Sequence, residues 1–273
     1  MKNMQRDGFI LKKHQGVSYY SCRALEMLPW LRHGFSTRHG DNSFSDPISM
    51  NLGDVFRDST TRVGKNRQRF LTALNFENAH LVILRQVHSS RAHIINDISG
   101  QWNQTEGDAL MTGSENIALA VTVADCLPVL IADPANKAVA AVHSGWKGTL
   151  ARVLPQAILE MRRAFNSNPE QLIVAAGPGI GSCCYEVGSE VAREFDREYP
   201  GYRLSVPAAG RSGKFYLDLL RALDAQLDGA GVPPENRFEL GACTRCAVNE
   251  FFSFRAEGPQ SGRMMGVIGI APD

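Results

Sequence analysis

The sequence carries almost no excess charge of either sign. Lysine and arginine number 29, and aspartate and glutamate number 28, so the net charge of the 273-residue chain is +1. This balance argues against binding of nucleic acid, or of an anionic membrane, over a large surface. Partners are therefore sought among small molecules held at one local site.

Long apolar runs are also lacking. The most apolar stretch, residues 117–132, is interrupted by Asp125, Cys126 and Pro128 and is shorter than the roughly 20 residues that a membrane-spanning helix needs. The first residues show neither the apolar segment nor the small-residue cleavage site of a secretory signal. We therefore expect a cytoplasmic protein without a membrane partner.

Cysteine and histidine are scarce, with six and seven residues respectively. Six cysteines are too few for a disulfide scaffold in a chain of this length, and a cytoplasmic chain keeps its thiols reduced. No two histidines form a His-x-His pair. That absence argues against a trinuclear copper cluster, which is usually built from such pairs.

Short β-branched or alternating runs predict strands. They are residues 8–11, 17–21, 81–87, 92–95, 117–123, 127–132, 138–143, 172–176 and 251–254. Helical periodicity predicts helices over residues 60–74, 149–165, 187–199 and 217–227. Because many predicted strands follow one another directly, we expect the α+β class. Mixed, largely antiparallel β-sheets would be flanked by helices, in a single domain over residues 1–273.

The strands 127–132 and 138–143 predict a hairpin. A four-residue loop over 133–136 places Cys126 opposite His143, with their Cβ atoms about 5 Å apart. A thiolate and an imidazole at that separation can chelate one metal ion. Three other interpretations stay open: a buried cysteine beside a structural histidine, a metal-stabilised binding module, and a cysteine hydrolase with Cys126 as nucleophile and His143 as base.

Ordered motifs along the chain resemble one known family. They are His33–Arg38, Asn51–Gly53, Gln86–His88, Gly107–Leu110, Ala124–Leu130, Ala141–Thr149, Gly177–Gly188, Cys243–Cys246 and Phe251–Arg255. Together they resemble the YfiH, or laccase-domain, family over residues 30–270. Its members have been called multicopper polyphenol oxidoreductases and, more recently, zinc-dependent purine nucleoside phosphorylases. The resemblance implies a YfiH-like fold.

The resemblance implies a metal held by His88, Cys126 and His143. Three protein ligands leave a fourth position for water or substrate, which is typical of catalytic zinc. Two histidines and one cysteine are also the equatorial ligands of blue copper. We expect Zn²⁺, and copper, with a laccase-like polyphenol oxidase activity, is the alternative.

The resemblance further implies phosphorolysis of adenosine- or inosine-type purine nucleosides to the base and ribose 1-phosphate. It also implies adenosine deamination as a side activity. Purine nucleoside and phosphate are then the partners, and the chain is a monomer or small homo-oligomer. Asp125, Cys126 and His143 are the predicted catalytic residues, with Asp125 as acid and base. A structural Asp125 that hydrogen-bonds a turn is the alternative.

Substrate-binding residues are predicted around this centre. We expect phosphate near Arg38, Asn51, Lys147 and the start of the helix that contains Thr149, since guanidinium and ammonium groups and helix N-termini bind anions. The alternative for Arg38 is a surface ion pair.

The other five cysteines lie outside the predicted metal site. Cys183, Cys184 and Tyr185 are predicted to line the substrate pocket, although neighbouring cysteines rarely face one pocket. The Cys243-x-x-Cys246 motif is typical of half a zinc ribbon or of a redox pair. No second such motif occurs, so two ordinary thiols are expected there, and Cys22 is expected to be buried.

Overall fold

A computed structural model describes residues 8–40, 49–54 and 58–272. Within these ranges the chain forms fifteen strands. They are β1 (Phe9–His14), β2 (Val17–Cys22), β3 (Leu31–Ser36), β4 (His80–Ile83), β5 (Ala92–Ile94), β6 (Ala109–Thr112), β7 (Ile117–Val123), β8 (Leu127–Asp133), β9 (Ala138–Ser144), β10 (Ile173–Ala176), β11 (Glu186–Gly188), β12 (Ser205–Pro207), β13 (Lys214–Leu217), β14 (Arg237–Glu239) and β15 (Met264–Ile270).

Two six-stranded sheets and one small sheet organise these strands. The first sheet has the order β1-β2-β3-β15-β7-β4, the second β14-β10-β8-β9-β6-β5, and the third β11-β13-β12. Pairing is antiparallel except between β4 and β7, β5 and β6, and β10 and β14. The predicted α+β class with mixed, largely antiparallel sheets is therefore confirmed.

Seven helices of the described residues flank the sheets. They are α1 (Arg23–Glu26), α2 (Thr60–Ala73), α3 (Trp146–Leu150), α4 (Val153–Phe165), α5 (Ser189–Glu198), α6 (Leu219–Ala230) and α7 (Phe254–Glu257). None of these described helices is long and apolar enough to cross a membrane.

The large sheets pack against each other, with a helical layer outside each. Along β7, Ala118 and Ala120 face α2, while Leu119 and Val121 face the second sheet. This alternation follows from the two-residue period of a strand. The second sheet presents its other face to α4 and α6. Since both sheets are covered on both faces, their central strands read as continuous apolar runs in the sequence.

The single helix predicted over residues 149–165 is wrong, because the structure divides it into α3 and α4. Arg152 between them has a left-handed backbone with φ of 60°. Pro155 falls in the first turn of α4, where its missing N–H costs no hydrogen bond, whereas its ring would clash with a continuous helix from α3. The break thus has a local cause in the sequence.

One strand prediction is wrong, and one central strand of the structure is missing from the predictions. Residues 251–254 form a bend that leads into α7, where the Ser253 side chain accepts a hydrogen bond from the N–H of Ala256. Conversely, β15 was not predicted, yet it lies in the middle of the first sheet between β3 and β7. Its two interior glycines weaken the strand pattern.

Candidate active site

The three predicted metal ligands meet at one end of the sheets. His88 follows β4 in a loop, Cys126 lies in the turn before β8, and His143 is in β9. We call them the three-ligand cluster, because their ligand atoms all lie within 4.8 Å of one another. Cys126 Sγ is 3.7 Å from His88 Nε2. The structure therefore brings together the residues that the sequence predicted as metal ligands.

The hairpin that joins two of these residues differs in register from the prediction. Asp133 belongs to β8 and pairs with Ala138, so His143 faces Pro128 rather than Cys126. The turn follows Asp133 because its carboxylate accepts hydrogen bonds from the N–H groups of Ala135 and Asn136, at 3.0 and 3.1 Å. A register shift of two residues keeps side chains on the same face. Cys126 and His143 therefore still meet.

Asp108 lies behind the cluster and orients it. Its Oδ1 is 2.8 Å from His143 Nδ1 and accepts a hydrogen bond from the N–H of His88 at 3.0 Å. Its Oδ2 accepts one from the N–H of Ser89 at 2.6 Å. A carboxylate can only accept, so Nδ1 of His143 carries a proton, and Nε2 is the nitrogen that can bind a metal ion once it has released its own proton. Sequence reasoning missed Asp108, although it lies in a quoted motif.

The charges of the cluster favour an ionised thiol. Burial of Cys126 opposes ionisation, but the positive charge and hydrogen bond of His143 prevail and lower the pKa of Cys126 to about 6. Burial likewise opposes charge on His143, while Cys126 and Asp108 together raise the pKa of His143 to about 9. The pKa of Asp108 falls to about 2, since its hydrogen bonds from His143 and Ser89 outweigh burial. A thiolate is the form that binds metals.

Gly145 leaves the space that the side chains of His88 and Cys126 occupy. A Cβ atom at this position would lie 2.7 Å from His88 Cδ2 and 2.8 Å from Cys126 Sγ. Both separations are far below van der Waals contact. Glycine is therefore required here by space, while its φ of −84° is ordinary.

A cavity of about 490 Å³ opens over the three-ligand cluster. Three aromatic side chains, of Trp146, Tyr185 and Phe254, and two guanidinium groups, of Arg255 and Arg263, line it. The other lining residues are Gln86, Thr122, Val123, Ala124, Asp125 and Ile180, together with the cluster itself. Flat apolar walls beside two cations suit a ligand with an aromatic part and an anionic part.

Asp125 lines the cavity, but both of its carboxylate oxygens are occupied. Oδ1 accepts a hydrogen bond from Thr244 Oγ1, and Oδ2 accepts one from the N–H of Arg255, each at 2.6 Å. Asp125 also has a φ of 89°, a strained conformation for a residue other than glycine. These contacts favour a positioning role over the predicted acid and base role, which stays a prediction.

Arg38 and Asn51 lie outside the cavity lining. Arg38 forms an ion pair with Glu257 at 2.9 Å and packs over the Phe252 ring at 4.6 Å. Asn51 is fully buried, and its Oδ1 accepts a hydrogen bond from the N–H of Arg263 at 2.8 Å. Asn51 therefore acts on the cavity through Arg263, and direct phosphate contact by either residue stays a prediction.

Lys147 is the third predicted phosphate ligand, and it is exposed. Its Nζ lies 5.5 Å from the centroid of the neighbouring Trp146 ring and is not part of the cavity lining. The helix that contains Thr149 is the short α3, which begins at Trp146 after Gly145. The structure thus places Trp146, rather than Lys147, at the cavity wall.

Of the three predicted pocket residues in the Gly177–Gly188 motif, Tyr185 lines the cavity and Cys183 and Cys184 do not. Both thiols instead gather with those of Cys243 and Cys246, all within 4.8 Å of one another. The two neighbouring cysteines therefore face one common cluster and not the cavity. We call this group the four-cysteine cluster.

Sequence reasoning did not assign the two cavity arginines. Arg255 donates a hydrogen bond through Nη1 to the carbonyl of Glu186 at 2.9 Å, and its guanidinium packs over Tyr185 at 5.2 Å. Arg263 is half-buried, and burial lowers its pKa. Arg255 ends one quoted motif, which was the available signal, whereas Arg263 lies outside every motif.

Comparison with known proteins gives consistent matches over most of the chain. The model of the family described as multi-copper polyphenol oxidoreductase laccase matches residues 32–271. A purine nucleoside phosphorylase of Deinococcus radiodurans is 37% identical over 239 residues, covering 87% of this chain and 88% of the relative. An adenosine deaminase from an unknown prokaryotic organism is 35% identical over 237 residues, covering 84% and 90%.

Solved structures show the same fold. The crystal structure of YlmD from Geobacillus stearothermophilus has a TM-score of 0.85 and 29% sequence identity, and covers 97% of this chain and 100% of that one. With the family model spanning nearly the whole sequence, this chain belongs to the multi-copper polyphenol oxidoreductase laccase family.

Proposed function

We propose that this protein is a zinc-dependent purine nucleoside phosphorylase. It cleaves adenosine- or inosine-type nucleosides with phosphate, releasing the purine base and ribose 1-phosphate. The observation that carries the proposal is the cavity in which an open three-ligand cluster lies beside aromatic walls and two arginines. Relatives of 37% and 32% identity that are named purine nucleoside phosphorylases support it.

The cluster fits a zinc ion by its donor atoms. Two imidazole nitrogens and a thiolate are ordinary zinc ligands, and three of them leave one position for substrate or water. Asp108 supports this use because it holds His143 in the tautomer whose Nε2 can bind. His88, Cys126 and His143 would hold the zinc ion, which would supply a Lewis acid beside the reacting nucleoside.

Phosphate binding is the task we assign to Arg255 and Arg263. A guanidinium can hold two phosphate oxygens at once, and both side chains face the cavity. Stacking on Tyr185 and the hydrogen bond to Glu186 restrain Arg255. A phosphate positioned in this way lies ready to attack the ribose, which lowers the entropic part of the barrier.

The purine base is assigned to the aromatic side of the cavity. Phe254 is 48% exposed. The Arg263 guanidinium lies over its ring at 5.8 Å from the centroid, and we assign the base to the exposed part of that ring. Trp146 and Tyr185 complete this wall. Stacking of a base on an aromatic side chain contributes about 1–3 kcal/mol, enough to orient the nucleoside.

Adenosine deamination is the second candidate function, favoured by the relative named adenosine deaminase. It requires a group that moves a proton to the purine ring. Asp125 is the predicted group, yet its carboxylate is held by Thr244 and by the N–H of Arg255. We therefore propose deamination as a side activity of the same cavity.

Chromatography of adenosine incubated with the protein and phosphate tests both functions. Adenine together with ribose 1-phosphate is the expected result. Inosine as the sole product contradicts phosphorolysis and leaves deamination. If adenosine stays unchanged, and inosine supplied as substrate in its place also stays unchanged, both functions are contradicted. Omission of phosphate is the control, because phosphorolysis consumes it and deamination does not.

Two alternatives are separated by further measurements. A copper polyphenol oxidase consumes oxygen with a catechol after copper loading. Among the described residues that line the cavity, none is a methionine that could serve as an axial copper ligand. A cysteine hydrolase needs the thiolate of Cys126 and no metal. Stoichiometric zinc that is lost in Cys126→Ala contradicts the hydrolase.

A further inference from the structure

A second group of metal-ligating side chains lies apart from the catalytic cavity. The four-cysteine cluster joins two turns that are about sixty residues apart in the chain. Cys246 Sγ lies 3.5 Å from Cys183 Sγ and 3.4 Å from Cys184 Sγ. Cys243 completes the group, in which every pair of sulfur atoms is within 4.8 Å.

These sulfur–sulfur distances match a tetrahedral zinc site and are too long for a disulfide bond. Four thiolates bound tetrahedrally to zinc at about 2.3 Å have sulfur atoms about 3.8 Å apart. A disulfide requires about 2.05 Å, and all four cysteines are free. The sulfur atoms therefore surround a space of the size that one zinc ion occupies.

The backbone holds the two turns together independently of the thiols. Gly179 and Cys243 form a parallel β-bridge, in which the N–H of Thr244 donates to the carbonyl of Gly179 at 3.0 Å. Within each turn, the N–H of Cys184 donates to Gly181 and that of Ala247 to Cys243, at 2.9 and 3.0 Å. The positions of the cysteines are thus set before any ion binds, which favours affinity.

Arg245 is a cationic side chain that contacts this group, since its Nη1 lies 3.6 Å from Cys184 Sγ. Four thiolates at these separations would repel one another strongly, and one guanidinium carries only one compensating charge. A divalent ion in their midst removes that repulsion.

We propose that Cys183, Cys184, Cys243 and Cys246 bind a second, structural zinc ion. Binding releases the four thiol protons to solvent and fills the coordination shell, so this ion has no open position for substrate. The proposal is independent of the proposed phosphorylase activity, since it concerns a site outside the cavity.

The position of the site assigns its role. Tyr185, which follows Cys184, forms part of the cavity wall. Thr244, which follows Cys243, donates a hydrogen bond to Asp125, the residue before Cys126. An ion that fixes both turns therefore fixes the cavity wall and the segment that presents the catalytic thiol.

Zinc content per chain, measured by elemental analysis, tests the proposal. The wild-type protein purified under reducing conditions is expected to hold two zinc ions, and Cys246→Ser and Cys183→Ser one each. Cys126→Ser also keeps one, because it removes only the ion of the three-ligand cluster. Cys22→Ala is the matched control, since Cys22 is an isolated buried cysteine, and it keeps two.

A spectroscopic measurement on the wild-type chain covers variants that fail to fold. Cobalt substitution is expected to give sulfur-to-metal charge-transfer absorption that corresponds to about five thiolates shared by two ions. A single zinc per chain that Cys126→Ser abolishes overturns the proposal. So does iron in place of the second zinc, or a disulfide that contains Cys246 in protein kept under reducing conditions.

Discussion

The three-ligand cluster and the four-cysteine cluster differ in what supports their ligands. Behind His143 lies the buried carboxylate of Asp108, which accepts hydrogen bonds from the loop of His88 as well. In the part of the chain that the structure describes, the four thiols are supported by the backbone hydrogen bonds of two turns and by the exposed Arg245. The first cluster faces a cavity of about 490 Å³, whereas the second lies near the surface.

Under the two proposals above, this difference separates a catalytic centre from a structural one. Three ligands leave a coordination position open, and four thiolates leave none. The clusters are nevertheless linked, because Thr244 between Cys243 and Cys246 donates to Asp125 beside Cys126. Damage to one cluster is therefore expected to reach the other mainly through Asp125.

The largest effect is expected on catalysis. Cys126→Ser should lower kcat/KM for phosphorolysis by about 1,000-fold, in the range seen when an essential electrostatic group is removed. Cys246→Ser should lower it by less than about tenfold, or 1.4 kcal/mol. Steady-state assays of the two variants at saturating zinc check this. Equal losses would erase the distinction between the clusters.

The next largest effect is expected on stability. In excess zinc, the free energy of unfolding of Cys246→Ser should be about 3–4 kcal/mol lower than that of the wild type. This is the stabilisation expected from a bound ion whose free concentration is about 100 to 1,000 times its Kd. Urea unfolding measures the difference. In a strong chelator the two proteins should become nearly equal, and a difference that survives chelation would contradict a structural ion.

The buried His33 lies outside both clusters, and its pKa shifts in the opposite direction to that of His143. His33 accepts a hydrogen bond from the N–H of Cys22 at 2.9 Å, and burial lowers its pKa from 6.5 to about 4. Below pH 6.5 the unfolded chain therefore binds the proton more readily. His33 then costs stability as the pH falls from 6.5 to about 4, by about 3 kcal/mol in all.

His33→Gln tests this pH dependence, because glutamine can still accept from Cys22 and does not titrate. Its free energy of unfolding should fall less steeply than that of the wild type between pH 6.5 and 4. The comparison should be made in chelator, since protonation of metal ligands adds its own slope. Parallel curves would show that His33 is not the titrating group.

The sequence predicted the three-ligand cluster because its parts carry local signals. The hairpin placed Cys126 near His143 even with the register wrong by two residues, and the family motif supplied His88. The four-cysteine cluster could not be predicted in this way. The single bridge between Gly179 and Cys243 creates it, and no periodicity in the sequence reports a pairing across so many residues.

The arginines of the cavity could not be predicted from sequence patterns either. Arg255 and Arg263 reach it through α7 and the loop before β15, elements that the strand and helix patterns did not reveal. Asn51 is predicted to bind phosphate, and in the structure its carboxamide oxygen accepts a hydrogen bond from the N–H of Arg263. Motif residues thus indicate where a site is, while their individual roles depend on hydrogen bonds that only the folded chain contains.

Asp108→Asn is expected to have the smallest effect on this comparison. An amide can present its NH₂ group to His143 Nδ1, which stabilises the wrong tautomer and directs a proton to Nε2. Zinc affinity of the three-ligand cluster should fall by about 10–100-fold, while that of the four-cysteine cluster should not change. Competition with a colorimetric chelator resolves the two affinities. A loss shared equally by both ions would mean that Asp108 supports the fold as a whole rather than the orientation of His143.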